Sequence, residues 1–203
     1  MLDVASQALI KRGYANLRYR DVAEEAGVPI ASLQHYFPNL ATLRREALMH
    51  RVLAEANVIE EVAESIQDPW IRLSYVMVES VALDPTTRRE EWLVWLEFWR
   101  AAAHDAALRE QTDHSQMEFR ALIARTIEYG VEAGAFRAVA DLADISAELL
   151  FLIDGIGLRL AIEDSQETAE YGLRIIENRL RTLLAIDPSA PSFEEVAGLG
   201  ARV

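Results

Sequence analysis

Side chains that can hydrogen-bond to nucleic-acid bases are concentrated in the short segment "IASLQHY". Within it, Ser32, Gln34 and His35 offer donors and acceptors, and Ala31 leaves space for a close approach. The amide of Gln34 matches the paired donor and acceptor on the major-groove edge of adenine, and the hydroxyl of Ser32 suits a base or a phosphate. Tyr36 offers a further hydroxyl to a phosphate, although its ring suits a protein core equally well. The chemistry that these residues predict is recognition of double-stranded DNA.

Phosphate binding is predicted just upstream, at Arg18, Tyr19 and Arg20. These residues stand where the preceding helix should begin, and the free backbone N–H groups at a helix start attract phosphate. Contacts of this kind fix the position of a protein on the duplex without selecting a sequence. The three residues are therefore expected to hold the DNA backbone.

A helix, a tight turn and a second helix are predicted to position these side chains. Val22 and Ala23 give the first helix an inner face, and Leu33 does the same for the second. Gly27 can take a positive φ, so the chain can turn sharply there, and Pro29 suits the first turn of a helix. This is the helix-turn-helix arrangement, in which the second helix enters the major groove. Because many all-α proteins contain such corners, the pattern alone leaves a purely structural corner as the alternative.

Helical periodicity extends along the rest of the chain, so we expect an all-α fold. No stretch alternates with the period of two that a strand requires. Gly13 marks the end of a first helix. Caps and turn residues then delimit the later helices, which are predicted at about Asn39–Ile66, Asp68–Leu83, Thr87–His104, Ala106–Ala133, Asp141–Ile162 and Ser165–Ile186.

Charge is distributed unevenly along the 203 residues, whose formal net charge is −13. Residues 1–51 carry seven basic and five acidic side chains, whereas residues 52–203 carry 13 basic and 28 acidic ones. Affinity for DNA depends on the local positive surface and on the number of phosphates that it neutralises, not on the net charge. We therefore expect the amino-terminal part to contact DNA through few ionic pairs. The acidic remainder serves solubility or a different partner.

Composition argues against several other classes of protein. The chain has no cysteine, which excludes disulfides, thiolate metal sites and cysteine nucleophiles. Asp154 and Arg159 interrupt the longest apolar run, so no membrane span is expected, and no signal peptide is recognisable. The four histidines lack the spacing of a metal or catalytic site, and no glycine-rich phosphate loop is present. We expect a cytoplasmic protein that is not an enzyme and needs no metal or other cofactor.

Residues 2–43 resemble the DNA-binding domain of the TetR family of transcriptional regulators. The resemblance rests on "RGY", "RDVAEEAGV" and "SLQHYF", followed by Pro38 and Asn39, at matching spacings. It covers about a fifth of the chain. The resemblance implies a homodimer that binds a palindromic DNA operator, a long fourth helix, and a helical C-terminal domain that binds a small-molecule effector.

The chain departs from the family pattern at several positions that usually contact DNA. Arg18 and Tyr19 stand where threonines are usual, and Gln34 stands where a tyrosine is usual. Leu40 occupies a position after the recognition helix that is often basic in the family. Arg18, Arg20, Arg44 and Arg45 are expected to replace some of the phosphate contacts that these changes remove.

An aromatic stripe in the C-terminal part is the candidate effector site. Three tryptophans and a phenylalanine fall between residues 92 and 99, where they form a large apolar surface with polar edges. An ordinary hydrophobic core is the alternative, but the family resemblance implies a ligand pocket here. This region is also similar, more weakly, to the C-terminal part of regulators of the BetI subgroup. The candidate pocket residues are Met77, Trp95, Phe98, Trp99, Phe119 and Ile123.

The last two long helices are the candidate dimer interface. A helix-turn-helix protein normally binds as two copies, because paired half-sites mirror a two-fold protein. Gly155 and Gly157 lower helix propensity in mid-helix, so a close approach of another element is expected there. Packing within one chain is the alternative. The candidate interface residues are Leu152, Ile153, Ile156, Leu160, Ile175, Ile176, Arg179 and Leu183.

The expected architecture has three parts. Residues 1–46 form a helix-turn-helix DNA-binding domain, residues 47–186 form a helical effector-binding and dimerisation domain, and residues 187–203 form a flexible tail. The expected function is that of a ligand-responsive regulator, most simply a repressor, that a small molecule releases from its operator. The alternative is a protein of the same fold that binds a ligand or a protein partner without sequence-specific DNA binding.

Overall fold

The described part of the chain consists of helices joined by turns and loops and contains no strand, as the sequence predicts. The computed structural model describes residues 1–81, 88–163 and 165–200, except for the side chains of residues 52, 55 and 198–200. Ten helices occur in these ranges: α1 (Leu2–Arg12), α2 (Tyr19–Ala26), α3 (Ile30–Tyr36), α4 (Leu40–Ser65), α5 (Pro69–Val81), α6 (Arg88–Ala102), α7 (Ala106–Glu132), α8 (Leu142–Glu163), α9 (Gln166–Leu183) and α10 (Phe193–Gly200).

Local capping explains where most helices begin and end. Gly13 ends α1 with φ 79°, and Gly27 ends α2 in the left-handed region with φ 65°. Asn39 Oδ1 accepts a hydrogen bond from the Thr42 N–H at 2.8 Å, which caps the start of α4. Asp68 caps α5 in the same way, as predicted. The capping residue predicted at 87 lies outside the described residues.

One compact unit, unit 1, combines Met1–Ala56 with Leu93–Ser115. Its core joins helices α1 to α4 to the second half of α6 and the beginning of α7. Leu9, Leu48 and Phe98 belong to this core and are almost completely buried. The core therefore takes its residues from distant parts of the sequence, unlike the contiguous ranges that the sequence suggests. The predicted domain boundary at residues 46 and 47 stays a prediction.

The second compact unit, unit 2, combines Asn57–Trp92 with Gln116–Val203. Helices α8 and α9 pack against each other in it, and α5 packs against both. The Trp92 ring lies against Gly157, where an added Cβ would fall 2.0 Å from a ring atom. The close approach at Gly157 is therefore made within the chain, whereas Gly155 faces open space.

The segment after residue 186 differs from the predicted flexible tail. It carries the short helix α10, which packs on α5 and α9, and Phe193 is only 2% exposed. Trp70 holds the segment from within unit 2, because its Nε1 donates to the Pro191 carbonyl at 2.7 Å and its ring stacks on Phe193. Arg181 donates to the same carbonyl at 3.0 Å. The segment is thus held by contacts within unit 2, and the predicted flexibility of residues 187–203 stays a prediction.

Two searches of the described residues bear on function. None of the helices there is both long and apolar enough to cross a membrane. No group of three or more histidine, aspartate or glutamate side chains comes together there as a candidate metal site.

Candidate nucleic-acid interface

The helix-turn-helix pair in unit 1 is built around a small apolar contact. Leu17, Val22 and Leu33 have no exposed surface and join the core of the unit. Gly27 turns the chain between α2 and α3, and the Val28 N–H donates to the Ala23 carbonyl at 3.0 Å. This turn fixes the direction in which α3 leaves α2.

Helix α3 keeps nearly all of its side chains outside the core. All of its residues are described, and only Leu33 is buried. Ala31, Gln34 and His35 are exposed, as is Tyr36, whereas Ser32 is half-buried. The predicted DNA-contacting residues of α3 are therefore accessible to solvent, Ser32 only in part. A seven-residue helix that buries a single leucine is held by its neighbours more than by its own packing.

A hydrogen bond from the Tyr19 hydroxyl connects the start of α2 to the end of α3. The hydroxyl donates to the Phe37 carbonyl at 2.5 Å. The side chain is half-buried, and burial raises the pKa of its phenol. The structure thus gives the Tyr19 hydroxyl a backbone partner, and the predicted phosphate contact of Tyr19 stays a prediction.

Arg44 and Arg18 both donate hydrogen bonds to the carbonyls of Ala15 and Leu17, in the loop before α2. Arg44 Nη2 donates to Ala15 O at 2.7 Å and to Leu17 O at 2.9 Å, and Arg18 Nη1 donates to the same two oxygens at 2.9 and 3.2 Å. Burial, and secondly the Arg18 guanidinium, lower the pKa of Arg44. Two adjacent guanidinium groups repel each other and so favour an anion beside them. Arg44 therefore braces α4 against this loop and also adds positive charge near the start of α2.

Arg20, one of the predicted phosphate-binding residues, is largely exposed. Its side chain is 79% exposed and lies 3.7 Å from the buried carboxylate of Asp21. Asp21 also accepts a hydrogen bond from the Arg18 N–H at 2.9 Å, and Arg12 lies 3.4 Å away from it. Asp21 therefore orients the start of α2 and holds basic side chains beside it. Nothing in the sequence pattern had marked Asp21 for this role.

The candidate effector residues divide between the two units. Trp95, Phe98 and Trp99 belong to unit 1, where the Trp95 ring lies 5.9 Å from Phe98 and 6.0 Å from Trp99. Phe98 is fully buried in the core, whereas both tryptophans are half-buried. Trp99 Nε1 is buried without a hydrogen-bond partner among the described residues. The remaining candidates lie in unit 2. Met77 and Ile123 are fully buried there, and Phe119 is half-buried.

Four of the eight candidate dimer residues lie on the inner side of their helices. Ile153, Leu160, Ile176 and Leu183 are buried inside unit 2. Their place in a dimer interface stays a prediction. The half-buried or exposed remainder consists of Leu152, Ile156, Ile175 and Arg179.

A different apolar stripe faces solvent on α8 and α9. Phe151 is 72% exposed, Ile162 is 66% exposed and Leu158 is 39% exposed, and together with Gly155 they follow one face of α8. Tyr171 and Ile175 on α9 are 59% and 38% exposed. We call this surface the α8–α9 face. Its signal in the sequence is the spacing of four, three and four residues from Phe151 to Ile162.

Models of two protein families match the chain. The model described as bacterial regulatory proteins of the tetR family matches residues 1–47, and the model described as the C-terminal part of BetI-type transcriptional repressors matches residues 69–185. The HTH-type transcriptional regulator PksA of Bacillus subtilis is 25% identical over 185 residues, which are 89% of this chain and 86% of that protein.

Solved structures of regulators share the fold. A TetR transcription regulator from Haloarcula marismortui superposes with a TM-score of 0.78 at 22% identity, covering 90% of this chain and 95% of that one. A transcriptional regulator from Saccharomonospora viridis, solved in complex with choline, gives a TM-score of 0.71 at 27% identity over 89% and 93% of the two chains. The BetI-type model alone spans more than half of the chain. The chain therefore belongs to the TetR family of helix-turn-helix transcriptional regulators.

Proposed function

We propose that this regulator is a repressor that binds a palindromic operator as a homodimer and leaves it when a small molecule binds. The observation that carries the proposal is the exposed polar surface of α3, which only Leu33 anchors in the core. A helix of this kind can enter the major groove without uncovering apolar surface. The proposal places the protein in the cytoplasm with its DNA and gives it no catalytic role.

Base recognition is assigned to the exposed side chains of α3. The Gln34 amide can pair with an adenine edge, and His35 and the small Ala31 border it on the same surface. Ser32 is half-buried and can reach a base or a phosphate at the margin. Tyr36, which is 63% exposed, is assigned to a phosphate.

Phosphate binding is assigned to the basic residues around the start of α2. Arg18 and Arg44 share the loop carbonyls, and Arg20 extends into solvent beside them. The remaining basic residues of unit 1 include several that pair with carboxylates, such as Lys11 with Glu25 at 2.7 Å. Few free cations are thus available for DNA, so the salt dependence of binding should be modest.

The homodimer is assigned to the α8–α9 face. Phe151, Ile162 and Tyr171 are large side chains that a soluble chain seldom leaves together in water. A two-fold interface uses each of them twice, which suits paired operator half-sites. Gly155, which has open space above it, permits a close approach of the second copy.

The effector is assigned to the Trp95 and Trp99 pair. Both rings are half-buried, and the Trp99 N–H has no partner among the described residues, so it can donate to a ligand. Tryptophan faces also attract organic cations such as choline, which the S. viridis regulator binds. Choline should therefore change the tryptophan fluorescence. Its neutral carbon isostere, 3,3-dimethylbutan-1-ol, separates cation recognition from simple apolar binding.

Fluorescence anisotropy tests the DNA-binding half of the proposal. The purified protein is titrated into a labelled fragment from upstream of its own gene, at several salt concentrations, beside a scrambled fragment. Tight binding to the native fragment alone is expected. The contrary result is no binding to the native fragment and none to operator candidates selected from random DNA. That result would support the alternative, a protein of this fold that acts through a ligand or a protein partner.

A further inference from the structure

An apolar side chain in the first turn of α3 is exposed and takes no part in anchoring the helix. Ile30 is the first residue of α3 and is 43% exposed. Val28 packs against the core of unit 1, and Leu33 belongs to that core. Apolar residues at these two positions around a helix start fix the direction in which the chain enters the helix. Ile30 lies outside the core, so its side chain is available to a partner.

The chain around Ile30 is stiff and offers no polar side chain. Pro29 and Ala31 are exposed as well, and neither carries a polar side-chain atom. Pro29 forms the N-cap with φ −61° and ψ 143°, and its ring holds φ near that value. The β-branched side chain of Ile30 has few χ1 rotamers in a helix. Little conformational entropy is therefore lost when this side chain packs against a partner.

Ile30 and Gln34 lie on the same face of α3. Residues four apart on a helix are neighbours on its surface, and Gln34 is also exposed. The axial rise between the two residues is about 6 Å, whereas successive base pairs of a DNA duplex are about 3.4 Å apart. A helix that follows the groove thus places Ile30 about one or two base pairs from the base that Gln34 contacts.

The thymine methyl group is the apolar feature that the major groove offers to such a side chain. The other groups on the base edges there are hydrogen-bond donors and acceptors. An isoleucine placed against a donor or acceptor would displace water without replacing its hydrogen bond, which costs free energy. Against a methyl group, the same side chain buries apolar surface on both partners. The chemistry of Ile30 therefore favours thymine over cytosine.

We propose that Ile30 is a specificity-determining residue that selects thymine in the operator through its methyl group. The proposal rests on the proposed function, because it concerns how α3 recognises the operator. It divides the exposed surface of α3 into two parts. Ile30 recognises a methyl group, and Gln34 and His35 recognise hydrogen-bonding edges. Each operator half-site should therefore contain a thymine within about two base pairs of the base pair that Gln34 contacts.

Replacement of single thymines by deoxyuridine tests the proposal. Deoxyuridine lacks only the C5 methyl group of thymidine and keeps its hydrogen-bonding groups. An operator fragment is selected from random DNA with the full-length protein, and each thymine of one half-site is then replaced in turn. Anisotropy titrations measure the affinities. One replacement should lower the affinity about fourfold, as expected for the loss of one buried methyl group.

Variants at position 30 connect the methyl effect to this side chain. Ile30→Ala should bind the thymine fragment about fourfold more weakly per half-site, because the apolar contact is lost. It should then bind the thymine and deoxyuridine fragments nearly equally. Ile30→Val removes a single methylene group and should keep most of the methyl effect. Because Ile30 is exposed, both variants should remain folded.

Leu53→Ala is the matched control. Leu53 lies on α4, belongs to unit 1 and is 38% exposed, so the variant removes an apolar side chain of similar exposure from outside α3. It should keep the full sensitivity to deoxyuridine. Gln34→Ala locates the contact, because the sensitive thymine should lie within about two base pairs of the position at which this variant relaxes the base preference.

Three results would overturn the proposal while leaving the proposed function intact. In the first, the protein selects an operator but loses no affinity when any of its thymines is replaced by deoxyuridine. In the second, Ile30→Ala keeps the wild-type sensitivity at the same thymine. In the third, Leu53→Ala abolishes that sensitivity as fully as Ile30→Ala does. If the wild-type protein selects no sequence from random DNA, the proposed function fails and this proposal fails with it.

Discussion

Two exposed helical surfaces of this protein differ in what they leave uncovered. The surface of α3 presents an amide, an imidazole, hydroxyls and a methyl group beside Ile30 and Tyr36, which are 43% and 63% exposed, and it keeps only one leucine in the core. The α8–α9 face presents Phe151, Ile162 and Tyr171, each more than half exposed. The first surface suits a hydrated partner with hydrogen-bonding edges, and the second suits a partner that excludes water.

The manner in which the two surfaces are supported differs as well. Helix α3 is short, and the Tyr19 hydroxyl together with the turn at Gly27 determines its orientation. Helices α8 and α9 have 22 and 18 residues and bury a full side of each against the other and against α5. Helix α3 is thus positioned by a few polar bonds and one buried leucine, whereas the α8–α9 face is held by extensive apolar packing.

The largest expected effect comes from placing charge on the α8–α9 face. Phe151→Glu together with Ile162→Glu should raise the dimer dissociation constant on the order of a thousandfold or more, because each buried carboxylate occurs twice across a two-fold interface. Sedimentation velocity measures the change. Met117→Glu, at a residue that is 63% exposed on α7, is the matched control and should leave the dimer intact. An unchanged dimer in the double variant would contradict the assignment of this face.

A carboxyl group beside the exposed stripe of α8 gives the next largest effect. Burial raises the pKa of Asp154 to about 6, from an ordinary value of 3.8. The folded state therefore favours the protonated form. The contribution of this preference to the free energy of unfolding is fully present below pH 4. It is lost as the pH rises towards 6. Since a pKa unit corresponds to 1.36 kcal/mol, the loss amounts to about 3 kcal/mol.

Urea denaturation at pH 4, 5, 6 and 7 measures this dependence. Asp154→Asn should flatten it and should stabilise the protein above pH 6 by up to about 3 kcal/mol. Asp113→Asn, at an exposed position of α7, is the control and should retain the wild-type profile. If Asp154→Asn keeps the wild-type pH profile, the Asp154 carboxyl of the wild-type protein ionises as readily in the folded state as in the unfolded state.

Replacing polar groups on α3 should affect DNA binding and leave the dimer unchanged. Gln34→Ala should weaken operator binding by about 1–3 kcal/mol and relax the preference at one base pair, because a bidentate pair with a base is lost. Anisotropy titrations with operators varied at single positions measure both effects. Gln7→Ala removes an exposed amide from α1 and is the control. Equal losses on operator and scrambled DNA would show that Gln34 does not recognise a base.

The smallest effect concerns the support of α3. Tyr19→Phe removes the hydrogen bond to the Phe37 carbonyl and should lower the free energy of unfolding by about 1 kcal/mol, the net value of such a bond. Chemical denaturation measures this. Operator affinity should fall by a similar amount because α3 is less fixed. Full stability combined with a marked loss of DNA affinity would instead restore Tyr19 to direct phosphate contact.

Local chemistry explains why the helix boundaries were predictable. Gly13, Gly27, Asn39 and Asp68 act within a few residues of their own position, and each appears in the structure with the predicted role. The helix-turn-helix and its exposed residues follow from the same local signals. The short helix α10 escaped prediction because it is anchored by Trp70, more than a hundred residues away in the chain.

Long-range packing explains the parts that could not be predicted. Helix α8 is apolar on several sides, so periodicity does not indicate which side meets α9 and which meets water. The predicted stripe through Ile153 and Leu160 proved to be the inner one. Likewise, the partners of Tyr19 and Arg44 are backbone carbonyls brought close by the fold. No spacing in the sequence indicates such a contact.

In the function proposed above, the α3 surface and the α8–α9 face act together, one on DNA and the other on a second copy of the chain. Native mass spectrometry of the protein on a single operator duplex tests it most directly, with Phe151→Glu/Ile162→Glu measured alongside. Wild-type complexes should contain an even number of chains per duplex, two in the simplest case, and the double variant should lose most of its affinity. A single chain bound per duplex, with affinity unaffected by the double substitution, would contradict the account.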